Sequence, residues 1–215
     1  MQLIGQMMNR PLLVSAILEH GADQFGAQQV VSRETHGPLH TYTFRQLAQR
    51  SKQLANALRS LGLKPQSVIG SIAWNNYRHL EAYYAVSGLG MVMHTCNPRL
   101  HPDQLSYIIN HAEDEVILFD STFAPLVKLI AKLCPKVKLW VCMSDKAHTP
   151  DIEGLEVQSY EDFIAPHSTE LTWPDLDENT GAALCYTSGT TGNPKGVLYS
   201  NRAIVLSALS ACLPN

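Results

Sequence analysis

The stretch 186–196 runs Tyr186, Thr187, Ser188, Gly189, Thr190, Thr191, Gly192, Asn193, Pro194, Lys195, Gly196, and nowhere else do hydroxyls, glycines and a lysine fall so close together. Gly189, Gly192 and Gly196 can take positive φ, so successive N–H groups can turn inward and line a concave anion site. The hydroxyls of Thr187, Ser188, Thr190 and Thr191 can donate to phosphate oxygens or ligate a hard cation such as Mg2+. Lys195, behind the rigid Pro194, adds a compact positive charge suited to a polyphosphate.

A Walker A loop is excluded by spacing. Counted from Gly189, G-x-x-x-x-G-K-[ST] needs a glycine at Pro194 and a Ser or Thr at Gly196. The apolar flanks 182–186 and 197–199 both read as short strands, so the loop joins two strands instead of opening a helix. A plain Gly/Ser/Thr linker needs neither clasping strands nor a lysine after a proline.

The elements that must hold this loop come from an ordinary globular composition. The chain has 215 residues, 45% hydrophobic and 16% charged, enough for a sizeable core. A net charge of −3 gives no sign of a nucleic-acid partner. Five cysteines, with no C-x-x-C pair, point to neither a disulfide framework nor a zinc site, and make the reduced cytoplasm the default compartment. No apolar run reaches the roughly 18 residues of a transmembrane segment. The run 11–18 lacks the basic leader and cleavage site of a signal peptide. The nine histidines show no metal-ligand pattern, and His36 and His40 read as surface residues of a hairpin.

Residues 12–25 read as a short amphipathic helix, and 30–32 with 39–42 as a hairpin. The next helix is well marked: Thr43 and Gln46 form a capping box, Tyr42 and Leu47 a hydrophobic staple, and Gly62 with Pro65 a stop. Strands then alternate with helices: 68–73, 91–95, 116–119 and 137–142 as strands; 77–87, 103–111 and 123–133 as helices. The repetition predicts an α/β fold, a mainly parallel sheet with helices on both faces. Ligands in such sheets bind beyond the carboxyl ends of the strands, where Trp74, Asn75, Asn97 and Asp120 fall. Each has a structural alternative: Asn75 or Asn76 and Asp120 as helix caps, Asn97 as a turn, Trp74 as core. Residues 143–154 read as a polar loop, and 159–162 open a short helix. The Pro-, Asp- and Glu-rich connection 165–180 reads as a boundary between a subdomain 1–180 and the loop-bearing segment 181–215, whose last helix, 203–212, is capped by Ser200 or Asn201.

The motif Y-T-S-G-T-T-G-N-P-K-G followed by V-L-Y-S resembles the phosphate loop of the adenylate-forming enzymes, the superfamily of acyl-CoA synthetases, luciferases and peptide-synthetase adenylation domains. Residues 78–83, 94–100 and 107–114 are similar to the bacterial medium- and long-chain fatty acyl-CoA synthetases. The resemblance covers most of the chain but only the front part of the family's longer one, the N-terminal portion of its large domain.

That resemblance implies a carboxylate substrate, a fatty acid or another acid, activated with ATP and Mg2+ and then transferred to CoA. It implies Thr187 as the Mg2+ ligand, Ser188, Gly189, Thr190, Thr191, Gly192, Asn193 and Pro194 as the wrap around the β- and γ-phosphates, and Lys195 as the charge partner. It adds a second reading of the N-terminal helix, a homodimer interface beside a surface helix. It places the adenine motif, the second Mg2+ ligand, the ribose-binding aspartate and the C-terminal lysine beyond Asn215. One departure stands out: Asn201 occupies the place of a common histidine. Two function classes therefore compete, the N-terminal piece of a fatty acyl-CoA synthetase, inactive by itself, and a non-catalytic remnant that binds nucleotide or a partner.

Overall fold

The computed structural model describes residues 9–187 and 193–213. A seven-stranded sheet is ordered β7-β6-β5-β3-β4-β8-β9, from β3 (Val68–Ile72), β4 (Val92–Thr95), β5 (Asp114–Phe119), β6 (Leu139–Cys142), β7 (Val157–Ser159), β8 (Gly181–Thr187) and β9 (Lys195–Ser200). Every pairing is parallel except β8 with β9. A separate antiparallel ribbon, β1 (Gln29–Arg33) with β2 (Leu39–Thr43), lies outside this sheet.

The helices are α1 (Val14–Gln24), α2 (Phe44–Ser60), α3 (Tyr77–Gly88), α4 (Pro102–Ala112), α5 (Ala124–Ile130), α6 (Tyr160–Ile164) and α7 (Asn201–Ala211). Strands of the α/β type are covered on both faces, and β5 shows why its run is nearly all apolar. Val116 and Leu118 enter a core with Leu54, Leu58, Ala82 and Val86 of α2 and α3, while Ile117 and Phe119 enter another with Ile108, Ile109, Val127 and Ile130 of α4 and α5. The alternation is the pleat's period of two, read against a different helix layer on each side.

The capping box of α2 is present in both directions, the Gln46 N–H donating to Thr43 Oγ1 (3.2 Å) and the Thr43 N–H to Gln46 Oε1 (2.8 Å). One local expectation differs from the structure. The helix read over 123–133 is α-helical only over Ala124–Ile130, with 3-10 turns at Ser121–Phe123 and Ala131–Leu133. Pro125 cannot donate a backbone hydrogen bond, which suits it to the first turn. The three-residue β7 carries no sequence signal because its identity comes from pairing with β6.

Candidate functional site

The loop strands form as the sequence predicts, an antiparallel pair in which Tyr186 faces Gly196 and Thr187 faces Lys195. β8 also pairs parallel with β4, which anchors the hairpin to the parallel strands of the sheet. The hairpin therefore presents Thr187 and Lys195 at the carboxyl end of the sheet, where open α/β sheets bind ligands. Thr187 is exposed and its hydroxyl donates to the Lys195 carbonyl (3.4 Å), Pro194 is buried, and Asn193 and Lys195 are exposed. Ser188, Gly189, Thr190, Thr191 and Gly192 lie outside the described residues. The oxygen donors at this neck, a hydroxyl and backbone carbonyls, are the hard ligands that Mg2+ prefers.

Behind the neck, Tyr186 is fastened on three sides. Its ring lies so close over Gly196 that a methyl there would be 3.2 Å from Cζ. It packs on His94 of β4, with ring centroids 5.1 Å apart, and its hydroxyl meets His111 Nδ1 of α4 at 2.6 Å. Burial, and then the charge of Asp114, push the Tyr186 phenol up to about 12, so near neutrality it stays a donor.

His94 is itself clamped. Its Nδ1 lies 2.8 and 3.0 Å from the two carboxylate oxygens of Asp114, and both side chains are fully buried. The bond crosses β3 at Gly70, where a methyl would sit 2.7 Å from Asp114 Oδ2 and 2.4 Å from Ile117 Cδ1. Burial raises the Asp114 pKa while its bond to His94 opposes the rise. Cys96 completes a compact His94, Cys96, Asp114 cluster, yet its sulfur is 3.7 Å from Nδ1 and 3.6 Å from Nε2. A position nearly equidistant from both nitrogens lies off either in-plane lone pair. The cluster converges neither on a shared metal nor as a thiol–imidazole pair.

The residues read at the strand ends divide. Asn75 and Asn97 line a cavity of about 720 Å³ with Ser71, His79, Thr95 and Cys96. Asn97 also makes the turn, accepting from the Arg99 N–H at 3.0 Å, and Asn76 caps α3 through the His79 N–H at 3.0 Å. Within the cavity wall His79 Nε2 meets Ser71 Oγ at 3.0 Å, and burial lowers the His79 pKa.

Asp120 caps nothing by its side chain. It accepts from the Trp74 N–H (2.6 Å) and Asn76 Nδ2 (2.9 Å), so it braces the loop between β3 and α3. Trp74 is not core: it is 46% exposed, stacked at a tilt on Phe123 and bonded through Nε1 to Thr122. His36 is a surface residue as read, whereas His40 lies face to face on the buried Tyr77, centroids 3.7 Å apart.

Asn201 is fully buried. Its Oδ1 accepts from the Val14 N–H (3.1 Å), the first of α1, and its Nδ2 donates to the Thr180 carbonyl (3.2 Å). The departure from the resembled motif thus serves as a remote cap joining α7 to α1.

Sequence reasoning missed a half-buried ionic network. Arg50 of α2 bonds Glu81 of α3 (2.7 Å) and Glu161 of α6 (3.0 Å), Arg78 bonds Glu161 (2.8 Å) and Glu34 (3.1 Å), and the Tyr160 hydroxyl donates to Glu81 (2.7 Å). The available signal was Glu81 itself, a charge one helical turn from both Tyr77 and Ala85 on the stripe that α3 buries.

The family of AMP-binding enzymes matches over residues 18–214. The chain belongs to that family. It is 47% identical to a medium-chain-fatty-acid–CoA ligase of Ectopseudomonas oleovorans, over 99% of this chain and 39% of that protein. It is 48% identical to a 3-methylmercaptopropionyl-CoA ligase of Ruegeria pomeroyi, over 97% and 39%, and 42% identical to a long-chain-fatty-acid–CoA ligase of Thermus thermophilus, over 96% and 37%. Among solved structures, an anthranilate CoA ligase in complex with anthranoyl-AMP superposes with a TM-score of 0.82 at 25% identity, over 94% of this chain and 37% of that one. The chain therefore spans about two fifths of the length of these curated relatives, and its α/β fold is that of the N-terminal part of the adenylate-forming large domain.

Proposed function

We propose that this chain is the phosphate-binding part of an ATP-dependent fatty acyl-CoA synthetase, with Thr187 and Lys195 at its working end. The observation that carries the reading is the hairpin neck, which holds a hydroxyl and a lysine directly opposite one another on a rigid parallel sheet. In the proposed reaction a carboxylate oxygen bonds to the α-phosphorus of ATP as the bond to pyrophosphate breaks. The thiol of CoA then displaces AMP from the acyl-adenylate. Charge gathers on the departing pyrophosphate, and a fixed cation with oriented donors stabilises it without reorganising when the bond breaks.

Thr187 would offer its hydroxyl oxygen to Mg2+, which when bound neutralises phosphate charge, and Lys195 would face the same phosphates. Residues 188–194 would wrap the β- and γ-phosphates. The same proposal divides the chain at 180/181, segment 181–215 carrying the phosphate chemistry and 1–180 the scaffold. Medium- or long-chain fatty acids are the substrate class favoured by the named activities of two of the relatives.

A chimera tests this directly: the chain replaces the matching segment of the Ectopseudomonas relative. Lys195→Met should then slow fatty-acid-dependent exchange between ATP and pyrophosphate by about 100-fold, the scale of losing one preorganised charge. Thioester formation from supplied acyl-adenylate should change much less, because those phosphates have already left. Equal losses in the two half-reactions would refute the assignment of Lys195.

A further inference from the structure

We propose that Tyr186, seated by His111 and His94, is a positioning residue that fixes the hairpin neck for Mg2+-bound polyphosphate. The inference rests on the reading of Thr187 and Lys195 above and extends it to residues that touch no ligand.

Tyr186 directly precedes Thr187, and its ring covers Gly196, the residue directly after Lys195. One side chain thus touches both strands at the point where the two working residues leave the sheet. An antiparallel pair ending in an exposed loop frays from its open end, and β9 has β8 alone as a sheet neighbour. The ring is kept in place from outside the hairpin. The Tyr186 hydroxyl reaches His111 Nδ1 at the end of α4, and the ring rests on His94. Asp114 holds His94 through the gap that Gly70 leaves in β3, so β5, β3 and β4 all back the seat. These contacts are contiguous and local, and no long-range pathway is needed.

A hydroxyl serves as an Mg2+ ligand only at a well-defined distance, because Mg2+ demands near-ideal octahedral geometry at roughly 2.0–2.1 Å. Loosening the seat should therefore cost the metal-dependent part of nucleotide affinity more than the part due to Lys195. His94 and Asp114 are buried, and their removal would test folding. Tyr186→Phe deletes only the half-exposed hydrogen bond, and His111→Ala removes with it a ring that packs beside Tyr107 and Tyr186.

The experiment titrates the 15N-labelled 215-residue protein with ATP, with Mg2+ and with EDTA, following the amide signals of Thr187 and Val197. The wild type should bind the Mg2+ complex more tightly than free ATP. Tyr186→Phe and His111→Ala should narrow that gap by about tenfold, one well-placed hydrogen bond's worth, while His111→Gln, which keeps a bonding group, should retain it. Urea midpoints should fall by no more than the loss of one solvent-exposed hydrogen bond explains. A gap preserved in Tyr186→Phe overturns the positioning role and leaves the site reading intact, provided Lys195→Met weakens binding. A larger fall in midpoint that accompanies the narrowed gap reduces Tyr186 to a structural residue and overturns it too. Wild-type binding equal to that of Lys195→Met removes the site reading, and this inference with it.

Discussion

Asn201 shows how one buried amide can join distant parts of a chain. It meets a helix N-terminus 187 positions away and a carbonyl 21 positions away. Asn201→Ala strands the Val14 N–H in a buried site, while the Thr180 carbonyl keeps the backbone N–H of residue 201 (3.0 Å), and the expected loss is about 1–3 kcal/mol of unfolding free energy, read from urea denaturation. A loss within about 0.3 kcal/mol would mean that water replaces the amide. Gly70→Ala should cost a similar amount, about 1–3 kcal/mol, by forcing a methyl onto Ile117 and Asp114. The hairpin that carries Thr187 and Lys195 was legible in the sequence, because apolar flanks on both sides of a Gly- and hydroxyl-rich stretch predict two strands. Asn201, Tyr186 and the His94–Asp114 pair were not, since their meaning lies in partners that only the folded sheet brings near.

At the scale of elements, α2, α3 and α6 are joined by charge as well as by apolar packing. Glu81 is fully buried between Arg50 and Tyr160; burial raises its pKa and Arg50 opposes the rise. Glu81→Ala leaves the buried Tyr160 hydroxyl without its acceptor while Arg50 keeps Glu161, and should destabilise by about 1–3 kcal/mol, the cost of an unsatisfied buried donor. Glu161 behaves differently. Burial works against its charge, but the bonds and charges of Arg50 and Arg78 outweigh burial and hold its pKa below the usual range. A depressed carboxylate stabilises fully above its unfolded pKa, about 4.3, and the contribution is lost as pH falls through the folded value. Glu161→Gln should thus be less stable than wild type at pH near 6 and show a shallower decline below about pH 4.5. An unfolding free energy that falls equally with pH in the two proteins would contradict the assignment. The helices themselves were readable: the α2 capping box, the Asn76 cap and the Pro102 start are local signals. β7 and the 3-10 turns around α5 were not, because three-residue elements take their form from neighbours.

Across the whole molecule, the sheet is well buried at its centre and open at one edge. Val197, Leu198 and Tyr199 of β9 and Leu206 and Leu209 of α7 are exposed apolar residues beside the hairpin. The parallel order was foreseeable from the alternation of strands and helices, but not which strands would be neighbours; β8 beside β4 ties the neck to the parallel strands at one edge of the sheet. Among the described residues no helix is long and apolar enough to cross a membrane. Adenylation needs carboxylate and α-phosphorus held together, and a tethered phosphate alone supplies little effective molarity. The 215-residue protein assayed by itself with octanoate or palmitate should therefore show no fatty-acid-dependent exchange above a Lys195→Met control. Exchange above that control would show that the hairpin and its scaffold suffice.

The claim on which the account rests is that the neck between Thr187 and Lys195 is a polyphosphate site. The most direct measurement is 31P NMR titration of Mg2+-bound ATP into the wild-type protein and into Lys195→Met, with inorganic pyrophosphate as competitor. The account predicts weak binding to the wild type, on the order of millimolar because a few bonds must offset the entropy of association. It predicts displacement by pyrophosphate and loss of binding in Lys195→Met. Equal affinities for the two proteins, or binding that pyrophosphate does not displace, would contradict it.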